Sequence, residues 1–189
     1  MTWILALLLL AAAGCSAPPQ KEIDQAQAAV DLARTSGAET YAAEEYAAAV
    51  GGVAKARAAV DQRDYRQALS YAIDSRQRAQ NAVRQAAAGK VEAKSATEAS
   101  LAAVSSELIQ IEDRLKAAET ARVPAKELRA PRALLTDVRK GLQEARTEIG
   151  AENYAKAGEI LTTVRKKLDD AGHDVENIPQ RPPRSSRKR

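Results

Sequence analysis

Between Pro19 and Pro124 the chain contains no proline, and between Gly52 and Gly141 its only glycine is Gly89. Alanine is the commonest residue type along this stretch. Alanine is the best helix former, while glycine and proline are the worst. A single glycine costs only about 1 kcal/mol within a helix. One unbroken helix from Tyr65 to about residue 121 is therefore expected, spanning roughly 80 to 90 Å at 1.5 Å per residue. A bend near Gly89 is the alternative.

Around it the apolar residues recur at three- and four-residue spacing, which lines one helical face. Ile23, Ala26, Val30 and Ala33 mark a first helix, stopped by Ser36 and Gly37. Thr40 is the expected cap of a second, with the stripe Tyr46, Ala49, Val53, Ala56 and Val60. Asp64 caps a third, and Gln67 three residues on suggests a capping box. The third helix opens with the stripe Tyr65, Leu69, Ala72, Ala79 and Val83. Residues 84–100 are mostly polar and alanine-rich, and a stripe resumes at Leu101, Val104, Leu108, Ile111, Leu115 and Ala118. Pro131 suits a first helical turn. Leu135, Val138, Leu142, Ala145 and Ile149 follow, ended by Gly150. Asn153 is the expected cap of a last helix bearing Tyr154, Ala157, Leu161, Val164 and Leu168, with Gly172 as its stop.

Part of this pattern occurs twice. Tyr65 set on Tyr154, an offset of about 89, also sets Gly52 on Gly141, Val53 on Leu142, Ala56 on Ala145, Val60 on Ile149 and Ala68 on Ala157. One residue less sets Ile23 on Ile111 and Ala33-Arg34 on Ala121-Arg122. Asp64-Tyr65 and Asn153-Tyr154 read as the elbows of two helical hairpins. A glycine inside a helix in both copies implies close approach of packed backbones, with a kink as the rival explanation.

The expected fold is all-α: two repeated three-helix antiparallel hairpin or coiled-coil units sharing one long helix. The parts are residues 22–88, a polar helical connector at 89–100, and residues 101–172. Hydrophobic residues make up 45% of the chain, but there is no Phe, and alanine buries little area. A thin bundle suits that composition better than a thick core.

Residues 3–14 are an uninterrupted apolar run, too short to span a bilayer comfortably, which takes about 20 residues. The length suits the apolar region of a secretory signal peptide at 1–14. Ala12-Ala13-Gly14-Cys15 resembles a bacterial lipobox, which implies cleavage before Cys15 and its lipidation. A plain signal peptide and a short membrane anchor are the other readings. Residues 15–21 would be the lipidated tether, with Pro18-Pro19 favouring extended chain. Ser16 after the cysteine resembles the outer-membrane sorting signal of Gram-negative lipoproteins.

Gly37-Ala38-Glu39, Ala43-Glu44-Glu45-Tyr46, Ala56-Arg57, Asp64-Tyr65 and Ala68 together resemble an uncharacterised family of alanine-rich bacterial envelope lipoproteins, a domain of unknown function built of helical hairpins. Ala130-Pro131, Ala145-Arg146, Asn153-Tyr154 and Ala157 carry a weaker second copy. The resemblance implies a lipid-anchored protein of the bacterial cell envelope, at the outer membrane facing the periplasm. It implies no activity.

The residues suggest no catalysis and no cofactor. His173 is the only histidine and Cys15 the only cysteine, so the clustered ligands and base–nucleophile pairs that such chemistry needs are missing from the sequence. Net charge is +4, concentrated in a tail at 173–189 that reads as disordered and carries Arg181, Arg184, Arg187, Lys188 and Arg189. Arg122, Lys126, Arg129 and Arg132 gather in a second basic group. Both are candidate contacts for an anionic envelope polymer such as peptidoglycan or lipopolysaccharide. Nucleic acid is not expected, because the basic segments lack stacking aromatics. A protein partner in the envelope and self-association through the heptad-like stripes are the other expected interactions.

Overall fold

The computed structural model describes residues 17–178. Six helices account for nearly all of them: α1 (Gln20–Thr35), α2 (Ala38–Tyr41), α3 (Ala43–Asp61), α4 (Tyr65–Thr120), α5 (Arg129–Gly150) and α6 (Tyr154–Glu176). No strand occurs among the described residues, and the fold is all-α with helices packed antiparallel. The long helix α4 is continuous through Gly89 for its 56 residues. The contacts divide into two compact units, with the boundary between Gly89 and Lys90.

In the first unit α1 buries Ile23, Ala26, Val30 and Ala33, as its spacing dictates. Gly37 ends it in the left-handed region at φ 82°, which costs glycine nothing. Thr40 does not cap the next helix. It lies inside the single turn α2, and the residue before α3 is Ala42, whose side chain has no acceptor. The core stripe of α3 is Ala49, Gly52, Val53, Ala56 and Ala59.

On α4 the buried positions of this unit are Ala68, Ala72, Ser75, Ala79, Ala82 and Ala86. The expected stripe through Leu69 and Val83 is therefore rotated: Leu69 is 37% exposed, and Val83 and Tyr65 are half-buried. Close helix approach is the reason. A Cβ placed on Gly52 would lie 2.6 Å from Cβ of Ser75 and 3.2 Å from its Cα. Only alanine, serine and glycine fit such a contact, so the larger residues turn outward. Gly89 serves a similar purpose, since a Cβ there would meet the Tyr41 carbonyl oxygen at 3.0 Å.

The second unit has a larger-residue core. Val104, Leu108, Ile111 and Leu115 of α4 pack with Leu135, Val138, Leu142 and Ala145 of α5 and Leu161, Val164, Leu168, Ala171 and Val175 of α6. Pro131 sits buried in the first turn of α5, where its missing N–H costs nothing. Gly172 does not stop α6. The helix continues to Glu176, because Val175 and Ile178 bury against the core. His173 thus belongs to a helix, and residues 173–178 are ordered.

The polar stretch 89–100 is not a bare connector. Thr97 is buried, with its hydroxyl 2.6 Å from the Ala93 carbonyl and 3.3 Å from the Tyr154 carbonyl at the start of α6. Lys90 Nζ donates to Glu152 at 2.8 Å. Contact with the start of α6 takes Thr97 out of solvent, while most of the stretch stays exposed as expected.

Three helices end in the same way on a residue other than glycine. Arg63, Arg122 and Glu152 have φ of 59°, 59° and 60°. The following N–H of Asp64, Val123 and Asn153 donates to Ala59, Ala118 and Glu148 respectively. These are Schellman terminations, which satisfy carbonyls that a helix end leaves unpaired. The α5 helix ends at Gly150, as expected, and its left-handed residue follows two positions later at Glu152.

The sequence alignment before the first loop needs a correction. Pairing Ile23 with Ile111 sets buried Ala26 and Ala33 on exposed Arg114 and Ala121. Burial matches one turn earlier: Ile23 with Leu108, Ala26 with Ile111, Val30 with Leu115 and Ala33 with Ala118. That register also sets Gly37 on Arg122, both left-handed.

Candidate functional site

The two elbows use their paired residues differently. Asp64 Oδ1 accepts the N–H of Gln67 at 3.0 Å, which caps α4. The reciprocal half of a capping box is absent, because the Asp64 N–H is committed to Ala59. Asn153 precedes α6 but makes no side-chain cap. Its Nδ2 donates instead to Glu148 Oε2 at 2.9 Å, and Lys156 Nζ donates to Glu148 Oε1 at 2.6 Å. A carboxylate accepts strongly from both, and charge-assisted bonds exceed neutral ones.

These bonds shift the local titrations. The Lys156 and Asn153 hydrogen bonds hold the Glu148 carboxyl below its ordinary value, and the Lys156 ammonium is raised in turn. Lys90, by hydrogen bond and then charge, lowers Glu152. Lys167 does the same to Asp137. Glu148, Glu152, Lys90 and Lys156 were not singled out from sequence. Their only sequence signal is opposite charges around the Asn153 turn, which is common on helix surfaces.

Tyr65 and Tyr154 differ too. Tyr154 is 6% exposed, and its backbone carbonyl accepts the Thr97 hydroxyl of α4 at 3.3 Å. Tyr65 is half-buried.

The basic group at 122–132 surrounds the loop between α4 and α5. All four side chains are exposed. Arg132 donates from Nε and Nη2 to Glu119 Oε1 at 3.1 and 2.7 Å, so its charge is already paired. Arg122, Lys126 and Arg129 take part in no ion pair among the described residues. A cleft of about 600 Å³ opens beside them, floored by Ala118, Val123, Val175 and Ile178. Arg122 and Glu127 also line it, together with the Arg114–Glu176 pair at 3.1 Å. Its mixed charge selects neither sign of ligand.

Cys15 and the basic tail residues Arg181, Arg184, Arg187, Lys188 and Arg189 lie outside the described residues. Among the described residues no group of three metal-ligating side chains converges. No helix among them is long and apolar enough to cross a membrane.

The profile of a family described as a domain of unknown function (DUF4398) matches residues 21–98. The similarity takes in α1, α2, α3 and the first part of α4. No curated protein matches the chain, and no solved structure does.

Proposed function

We propose that the chain is a non-enzymatic, membrane-anchored lipoprotein of a bacterial cell envelope, acting as a helical scaffold for protein partners. The observation that carries this reading is the junction at Gly14-Cys15. An apolar run of signal-peptide length ends in small residues at the sole cysteine, and two prolines lead into α1. Lipidated Cys15 would hold the protein to the outer membrane, facing the periplasm. The helices bury most of their apolar residues against one another, in two related three-helix units, and leave long, mainly polar faces for a partner or for self-association.

The test is the mass of the protein extracted from membranes of a Gram-negative host. The expected species begins at Cys15 and carries acyl chains. An unmodified chain from Met1 to Arg189 would overturn the anchor. Crosslinking in intact cells would then identify the partner.

A second reading is a binding module for an anionic envelope polymer. The free charges of Arg122, Lys126 and Arg129 on one loop favour it. Salt-sensitive pelleting with isolated cell wall would support this reading. Salt-insensitive co-purification with one protein would support the scaffold.

A further inference from the structure

We propose that the α3–α4 elbow of the first unit, with Tyr65, Leu69 and Ile73, is the surface that rests on the lipid bilayer. The inference builds on the lipoprotein reading. Its geometry lies wholly within the first unit. Arg57 reaches Gln27 at 3.0 Å and Arg76 reaches Gln25 at 2.7 Å, which sets α1 alongside α3 and α4. Gln25 is five residues into α1, while Arg76 is eleven residues into α4. The start of α1 and the elbow are therefore at the same end, and α4 reaches about 9 Å past α1 at 1.5 Å per residue.

A lipid on Cys15 is separated from Gln20 by five residues, at most about 17 Å when extended. The elbow end is thus held against the membrane surface, while Thr40 stands a helix length away. The overhanging part of α4 and the turn that follows it carry the fitting side chains. Leu69 and Ile73, one turn apart, are 37% and 45% exposed, and Tyr65 is half-exposed. Exposed Arg63 and Arg66 flank them and make no ion pair among the described residues. Tyrosine and leucine beside arginine suit the boundary between acyl chains and headgroup phosphates. The second unit, which carries no tether, has Gly158 and Thr162 at the positions of Leu69 and Ile73, and its Tyr154 is buried. At these two positions the apolar pair occurs in the tethered copy and not in the second.

The full chain would be produced in a Gram-negative host, with Gln62→Cys or Thr40→Cys, and purified from membranes. Lipid occupies the sulfur of Cys15, so each new cysteine is the free thiol to label. The protein would be placed in phosphatidylethanolamine and phosphatidylglycerol vesicles containing a headgroup nitroxide quencher. The two ends of α1 are about 24 Å apart, and the Gln62 label is expected to be quenched at least about twofold more than the Thr40 label. Equal quenching, or stronger quenching at Thr40, in protein that floats with the vesicles would overturn the orientation and leave the lipoprotein reading intact. An unmodified mass from Met1 to the last residue in the membrane-extracted protein would instead overturn the lipoprotein reading, and the orientation with it.

Discussion

A methyl group on Gly52 would fall 2.6 Å from Cβ of Ser75, and one on Gly141 would fall 2.4 Å from Cγ2 of Val164. The same contact, glycine of one helix against the next helix, occurs in both units at positions about 89 residues apart. In the first unit it lets the Ser75 hydroxyl donate to the Ala49 carbonyl at 2.7 Å across the helices. Neither glycine interrupts its helix, since α3 and α5 run through them unbroken.

Gly52→Ala should destabilise the protein by about 1–3 kcal/mol, the usual cost of overpacking. Gly51→Ala, next door, meets nothing within 4 Å. It should instead stabilise by about 0.5–1 kcal/mol, as glycine is the weaker helix former. Chemical denaturation of the two variants reads the contrast. Gly141→Ala should likewise destabilise, and Val164→Ala in the same chain should recover part of the loss by removing the clashing methyl.

Arg63 holds a left-handed backbone that an L-residue adopts at a cost of about 1 kcal/mol. Arg63→Gly should relieve that strain and raise the melting temperature. The gain should stay below about 1 kcal/mol, because glycine also adds freedom to the unfolded chain. A lower melting temperature would mean that the arginine side chain contributes more than its backbone costs.

The elbows should respond unequally to alanine. Asp64→Ala removes a cap bond at 3.0 Å and should cost about 1 kcal/mol. Asn153→Ala removes no cap, only an exposed bond to Glu148. It should cost less than half as much by thermal denaturation.

Acid should weaken the second unit at known carboxylates. Glu148 and Glu152 both have folded values below their ordinary 4.5. Groups lowered in this way stabilise fully above the unfolded value and lose that contribution as pH falls through the folded one. Stability should therefore decline below about pH 4.5. Glu148→Gln together with Glu152→Gln should flatten the decline, and an unchanged slope would show that other carboxylates carry it. Both groups are at the surface, so the effect should also shrink in salt.

Which helices form was legible in the residues, because breaker spacing and apolar period are local properties. The absence of proline over the long span and the cheapness of one glycine were enough to specify α4. The stripes of α1, α3, α5 and the second half of α4 were legible for the same reason. The candidate site was less so. The basic loop could be read as a charge cluster, but no local pattern shows that Glu119 takes one of its four cations.

Left to the tertiary structure were the choices made by distance between helices. Leu69 looks like a core residue and faces outward, because α3 and α4 approach too closely for it. Gly172 looks like a stop and is passed, because Val175 and Ile178 gain more by burial than the glycine costs. Asn153 looks like a cap and bonds a nearby carboxylate. In each case the local preference was worth about 1 kcal/mol, small enough for one packing contact to override.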